Sequence, residues 1–341
     1  MKETNKNGLL SENVEEFLKE YYSRKAMDSI SLLAQSGSSR KYYRFYHKEE
    51  SFILTESSNL EENKTFLYFT EHFSKIINNL PTIKKVADDF SLYVQSDLGD
   101  VSLMDLLEKD KENSKIHFEN AIKKLVQMQV LGHQNLDYSQ CFSYPKFNSL
   151  VVLRDLFSFK NYFLNLIGIE FNHGKLLMDF ERFAHDFEKI TFQYFVFRDF
   201  QSRNIMIFED KPYFIDYQGG LQGPPQYDLV SLIWQAKANL PPEWKQDFYT
   251  LYFNEFKRLT SEGIDEKEFQ SAYELCLIER LLQVLGTYGF RGIYERKPHF
   301  LSSITFALKN LAGIQHLKIV KNYPELYKII QKLTNLQFTE N

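Results

Sequence analysis

The chain is 341 residues long, 43% hydrophobic and 25% charged, with a formal net charge of −4. That length and balance describe either one large two-lobed globular unit or two ordinary ones. A charge so near neutral argues against general attraction to nucleic acid or to an anionic membrane, and no apolar run reaches bilayer-spanning length.

Leu10, Val14, Phe17, Leu18 and Tyr21 recur at helical spacing and predict an amphipathic helix over Leu9–Lys25. Three β-type runs follow, near Ser29–Ala34, Tyr42–Tyr46 and Phe52–Thr55, broken by the turn-rich SGSSRK and HKEE. A helix is expected over Glu61–Asn78, then strands near Ile83–Ala87 and Leu92–Gln95. Beyond SDLGD the apolar spacing turns helical, and the one expected β interruption is the hairpin NIMIFEDKPYFIDY. The layout is a small β-rich part, a connector near Ser96–Gly99 and a large helical part, with a ligand cleft expected between them. Cys141 and Cys276 lack metal spacing and read as free thiols of a reducing compartment, and the N-terminus has no apolar signal region. A cytoplasmic protein is expected.

The chemistry concentrates in FRDFQSRNIMIFEDKPYFIDYQGG, which starts at Phe197. Asp199 and Asn204 share one irregular loop, and Asp216 ends the strand that returns from the hairpin. A hairpin brings Asn204 and Asp216 to one edge, where an amide oxygen and a carboxylate suit Mg²⁺ that also holds phosphates. Asp199, on the loop leading in, could accept the proton of an attacking hydroxyl. One base and two metal ligands on a rigid ribbon are the minimum for in-line phosphoryl transfer.

This pattern, Asp-x-x-x-x-Asn before an apolar strand and Ile-Asp, resembles the aminoglycoside phosphotransferase and choline kinase family. The longer string through GPPQYDLVSLIWQAKANLP looks closer to the branch acting on cell-wall amino sugars, N-acetylmuramate and N-acetylglucosamine. The likeness extends to QSGSSRKYYRF, YVQSDLGDVSL and GTYGFRGIYERKPHFL, so it covers nearly the whole chain. It implies an α+β, protein-kinase-like two-lobed fold. Residues 1–96 would form a small five-stranded antiparallel sheet with one main helix, and residues 97–341 a large, mostly helical lobe. It implies ATP and Mg²⁺, Asp199 as base, and Asn204 and Asp216 as metal ligands. Asp228 would brace the catalytic loop, or serve as a plain helix cap. Gln95, Asp97 and Leu98 would lie in the connector that meets adenine.

The sequence departs from the family in three places. Phe197 stands where many relatives carry a loop-orienting His. Thr55 in SFILTES stands where a phosphate-anchoring Lys is expected. Gly37 is the only glycine of the first turn, whose backbone at Ser38 and Ser39 would cover phosphates. Arg40, Lys41 and Arg44 are the replacement cations at hand, or else a solvated basic edge. Arg203 would face the phosphoryl group or form a surface pair. Arg154, Asp155, Lys297 and His299 are the sugar-site candidates, a set too basic for a polycationic antibiotic. His299 also reads as a helix-end residue, and no aromatic box for choline is legible. The partners expected are thus a small sugar and ATP, with no nucleic acid or membrane. Thr55 also leaves open a nucleotide-binding pseudokinase, or an aminoglycoside- or choline-type kinase.

Overall fold

The computed structural model describes residues 10–34, 40–260, 263–336 and 338. Helices α1 (Glu12–Tyr21) and α2 (Arg24–Ser29) precede strands β1 (Ser31–Leu32), β2 (Lys41–His47) and β3 (Glu50–Glu56). Helix α3 (Leu60–Phe73) follows, then β4 (Ile83–Val86) and β5 (Leu92–Ser96). The expected first helix is in fact two, and α2 shortens the first strand to two residues. All five strands form one antiparallel sheet in the order β1-β2-β3-β5-β4.

The alternation of side chains decides what each face of this sheet does. Tyr43 and Phe45 lie opposite Leu54 and Phe52, and Leu54 lies opposite Val94. These pack on Val14, Phe17 and Leu18 of α1 and form a small core on one face. The other face therefore carries Tyr42, Arg44, Ile53, Thr55, Tyr93 and Gln95. Helix α3 lies on that side. Its Phe66 stacks between Tyr93 and Tyr217, at centroid separations of 5.2 and 4.9 Å. Burial of each ring contributes roughly 1.5–3 kcal/mol. Thr70 Oγ1 lies 2.6 Å from the Tyr217 hydroxyl, so α3 is fixed both to the sheet and to the segment after Asp216.

The rest is mostly helical: α4 (Leu103–Lys109), α5 (Lys111–Val130), α6 (Ser149–Phe159) and α7 (His173–Glu188) come first. Short strands β6 (Tyr194–Val196), β7 (Ile205–Phe208), β8 (Lys211–Phe214) and β9 (Leu221–Gly223) interrupt them. Then come α8 (Gln226–Ile233), α9 (Pro242–Leu259), α10 (Glu266–Tyr288), α11 (Pro298–Leu301), α12 (Ile304–Ala312) and α13 (Pro324–Thr334). The β7–β8 hairpin lies where the sequence places it. The β6–β9 pair was not expected, because strands of three residues are too short to show an alternation. That pair grips the base of the hairpin and its flanking loops.

Helix α10 approaches α6 and the π-helical turn Lys160–Leu164 unusually closely. A Cβ on Gly286 would lie 2.7 Å from the Phe159 nitrogen, and one on Gly289 2.0 Å from the Tyr162 carbonyl oxygen. Glycine permits this contact, and it sets Glu279 of α10 beside Asp155 of α6. No described helix is long and apolar enough to cross a membrane.

Candidate active site

Strand β6 delivers the chain into the loop 197–204, and the hairpin closes it. The register Ile205 opposite Phe214 carries Asn204 and Asp216 to the same edge. Asn204 Nδ2 lies 2.9 Å from the Asp199 carbonyl oxygen and 3.5 Å from Asp216 Oδ2. The edge is anchored from both sides. Ile207 donates its backbone N–H to Val101 at 2.8 Å, and Asn79 Nδ2 donates to the Pro212 carbonyl at 2.7 Å. Arg198 and Asp216 sit at φ of 78° and 68°. Residues with a Cβ rarely adopt that conformation, and strain of this kind persists where surrounding structure over-determines it.

Phe197 is fully buried, and its ring meets Phe200, Phe214 and Tyr217 edge-on at 5.2, 6.2 and 5.9 Å. The ring holds the loop by packing alone, and the loop's polar bracing comes from Asp228. The Asp228 carboxylate accepts from the backbone N–H groups of Phe197 at 2.6 Å and Arg198 at 2.9 Å, and from Gln129 Nε2 at 2.8 Å. It lies inside α8 and makes no cap.

Burial pushes the Asp228 carboxyl up to about 7, against the pull of those three donors. The folded value lies above the ordinary carboxylate one, so the group favours folding below about pH 4. That contribution is lost between about pH 4 and about pH 7, by up to about 1.4 kcal/mol per unit, and the loss levels off above 7. Asp228→Asn carries no such charge. Its stability relative to the parent is therefore expected to improve from about pH 5 to about pH 8. Thermal melts of both proteins across that range check this, and parallel curves would contradict it.

Asp199 is half-exposed, and its Oδ1 lies 3.6 Å from Nη2 of the buried Arg280. Arg280 also donates to the Tyr227 hydroxyl at 3.1 Å and to Gln283 Oε1 at 3.0 Å. Beyond Tyr227 lies Arg198, paired with Asp155 and stacked over Phe147 at 4.3 Å. Asp155 stays well ionised despite its burial because Arg198 and Arg154 flank it.

Beside Asp199 opens a cavity of about 650 Å³ whose wall includes Arg203, Lys237, Arg280, Gln283, Arg291 and His299. Lys237 Nζ lies 3.0 Å from His299 Nδ1. Burial, Lys237 and Arg203 hold the His299 imidazole below its ordinary pKa.

The structure thus gathers Asp199, Asn204, Asp216, Arg203 and His299 around one edge and one cavity. Apart from Arg40, which reaches Asp216 at 3.6 Å, the other sequence-level candidates lie elsewhere. Asp155 is buried as the counter-ion of Arg198. Arg154 Nη2 folds onto Asp155 at 3.0 Å, and Lys297 pairs with Glu295 at 3.0 Å. None of these three lines the cavity. Arg44 Nε lies 2.6 Å from Asp97 and Nη1 2.8 Å from Asp100, so Arg44 and Asp97 fasten the sheet to the connector. Gln95 shares the sheet face of Arg44, and Leu98 is buried. Arg40 is buried against Glu62 and Asp216. Ser38 and Ser39 lie outside the described residues.

Sequence reading misses Arg280, Gln283 and Thr287 of α10 and Lys237 after α8, all of which line the cavity. Their signal was present: in ERLLQVLGTY, Arg280, Gln283 and Thr287 stand at i, i+3 and i+7, a polar stripe on an apolar helix.

Among the described residues no group of three His, Cys, Asp or Glu side chains could hold a metal. Asn204 and Asp216 offer one neutral and one charged hard oxygen. That set fits a cation such as Mg²⁺, which completes its shell with water and phosphate.

Comparison with known proteins agrees with this geometry. The Phosphotransferase enzyme family matches residues 180–261, the stretch that contains Asp199, Asn204, Asp216 and Asp228. An N-acetylmuramate/N-acetylglucosamine kinase of Pseudomonas aeruginosa is 24% identical over 312 residues, covering 89% of this chain and 87% of that protein. Its namesake from Neisseria meningitidis is 22% identical over 315 residues, covering 90% of each. Among solved structures, a Plasmodium vivax ethanolamine kinase superposes with a TM-score of 0.60 at 11% identity, covering 94% of this chain and 99% of the other. An ADP-bound aminoglycoside phosphotransferase, APH(2'')-Ib, gives 0.57 at 13%, covering 96% and 99%. These likenesses establish a protein-kinase-like fold. With the family match over the loop and hairpin and kinases as relatives along its length, the chain is a kinase that resembles the phosphotransferase enzyme family.

Proposed function

We propose that this kinase transfers the γ-phosphoryl group of ATP to a hydroxyl of an amino sugar that carries a carboxylate, in the cytoplasm. The observation that carries the reading is the convergence of Asp199, Asn204 and Asp216 beside the cation-lined cavity. In this reading residues 1–96 clamp the nucleotide, and residues 97–341 carry the catalytic loop and the acceptor.

Asn204 and Asp216 would hold Mg²⁺, which when bound neutralises charge on the phosphates. The acceptor occupies the cavity with one hydroxyl at Asp199. Its oxygen bonds to the γ-phosphorus while its proton passes to the Asp199 carboxylate, and the bond to the β-phosphate oxygen breaks to release ADP. Arg280, 3.6 Å from Asp199 and held by Tyr227 and Gln283, keeps that carboxylate aimed into the cavity. Arg203 and Lys237 supply positive charge on a wall that also carries Asp105 and Glu108, while Arg291 is paired with Glu295 at 2.9 Å. The arginine and lysine heads suit a carboxylate on the acceptor. The names of the relatives lend the same support.

A coupled ADP-release assay with Mg²⁺ tests the reading. N-acetylmuramate is expected to turn over, N-acetylglucosamine more weakly, and kanamycin and choline not at all. A signal with kanamycin or choline alone would overturn the acceptor class. Silence with every sugar, nucleotide still bound, would favour a non-catalytic nucleotide binder.

A further inference from the structure

We propose that Arg40 supplies the phosphate-anchoring cation that strand β3 lacks, held ready by Glu62 and Asp216; this rests on the kinase reading above. Thr55 is fully buried between Tyr42 on one neighbouring strand and Tyr93 on the other. Its side chain is too short and carries no charge to hold a phosphate. A cation for that face must come from elsewhere.

Three basic side chains lie on β2 or next to it, and their partners separate them. Lys41 points to the α1 side, where its Nζ is 3.3 Å from Glu56. Arg44 faces the cleft side but is fastened to Asp97 and Asp100 of the connector. Arg40 stands one residue before β2, and continuing the period of two puts it on the face of Tyr42 and Thr55. Its Nη2 is 2.6 Å from Glu62 Oε1 and 3.6 Å from Asp216 Oδ1. The guanidinium therefore joins α3, the sheet and the edge where Asn204 and Asp216 meet.

The surrounding contacts hold this arrangement firmly. Glu62 sits in the first turn of α3 and accepts from Asn59 Nδ2 at 3.2 Å. Gln218 Nε2 donates to Asp216 Oδ1 at 2.7 Å and reaches Glu62 Oε1 at 3.4 Å. Arg40's side chain is only 7% exposed, whereas that of Asp216 is 40% exposed and opens outward. A planar guanidinium beside that carboxylate has the fork of donors that suits phosphate oxygens, and its pair with Glu62 keeps it at that edge. The Arg40–Glu62 pair thus positions the cation by a route through β2, where the family's expected route runs through β3.

The test is direct binding to the full chain without acceptor, by calorimetry, using a non-hydrolysable ATP analogue with Mg²⁺ and, separately, adenosine. Arg40→Gln is expected to weaken the triphosphate analogue by about thirtyfold and leave adenosine unchanged, with Arg40→Lys in between because it keeps charge and loses the fork. Unchanged analogue affinity in Arg40→Gln overturns the proposal, and so does equal loss of analogue and adenosine, which marks a structural role only. Should Arg40→Gln fail to fold, Glu62→Gln reads the same contact set: selective loss of the triphosphate supports it and unchanged affinity overturns it. A parent protein that binds neither ligand would defeat the kinase reading itself, a separate result.

Discussion

Asp199→Asn is expected to lower turnover by at least about a hundredfold while nucleotide affinity stays close to the parent value. The substitution keeps shape and size but replaces the basic carboxylate, which would take the acceptor's proton, with a neutral amide of negligible basicity. The loop's backbone should survive it, because Asn204 Nδ2 bonds the Asp199 backbone oxygen and Asp228 holds Phe197 and Arg198. The Asp199 carboxylate itself meets the buried Arg280 at 3.6 Å and Gln201 at 3.5 Å, so a thermal melt of the variant measures what the lost charge costs in folding, apart from chemistry. Single-turnover ADP formation with saturating acceptor, beside calorimetric nucleotide binding, separates the two. Unchanged turnover would remove Asp199 from the role of base.

The same contacts explain why this part of the site was legible in the sequence. A hairpin's ends are neighbours by construction, so Asn204 and Asp216 had to meet once NIMIF and KPYFI were read as paired strands. The five strands and α3 were legible for a like reason, since period two changes visibly to period 3.6 along that segment. What sequence reading lost depends on long-range contacts. Arg154 and Asp155 stand on an aromatic-rich helix and look like sugar ligands, yet Asp155 turns inward to an arginine 43 residues away. Arg40 was legible as one of three candidate cations, but the choice among them depends on Glu62 and Asp216, which lie far from it in sequence.

Chain segments far apart in sequence build the cavity wall in the same way. Lys237 follows α8, Gln283 belongs to α10, and Arg291 lies in the π-helical turn Gly289–Tyr294. Only the close packing at Gly286 and Gly289 brings α10 into place, and no local pattern announces that approach. Cavity-lining residues carried by helices that meet through backbone contact are illegible until the packing is known. Those carried by one ribbon are not.

The second large effect lies beneath the loop, at Asp155. Arg198 is buried over Phe147 and Tyr227, with Asp155 as its paired anion. Glu279 is also fully buried, and burial first, then the charge of Asp155, push its carboxyl well above the ordinary range, so it is neutral. Removing Asp155 takes away one of the influences that keep Glu279 protonated and leaves a cation in need of an anion. Glu279 is then expected to ionise and serve in its place. Asp155→Ala alone should cost about 2–3 kcal/mol, and Glu279→Gln alone under about 1 kcal/mol, because a neutral group replaces a neutral one. Together they leave Arg198 buried without a partner and should cost about 5 kcal/mol, more than the sum. Urea unfolding of the parent and the three variants measures the coupling. Strict additivity would show that Glu279 does not take over, and that the buried arginine of the loop depends on Asp155 alone.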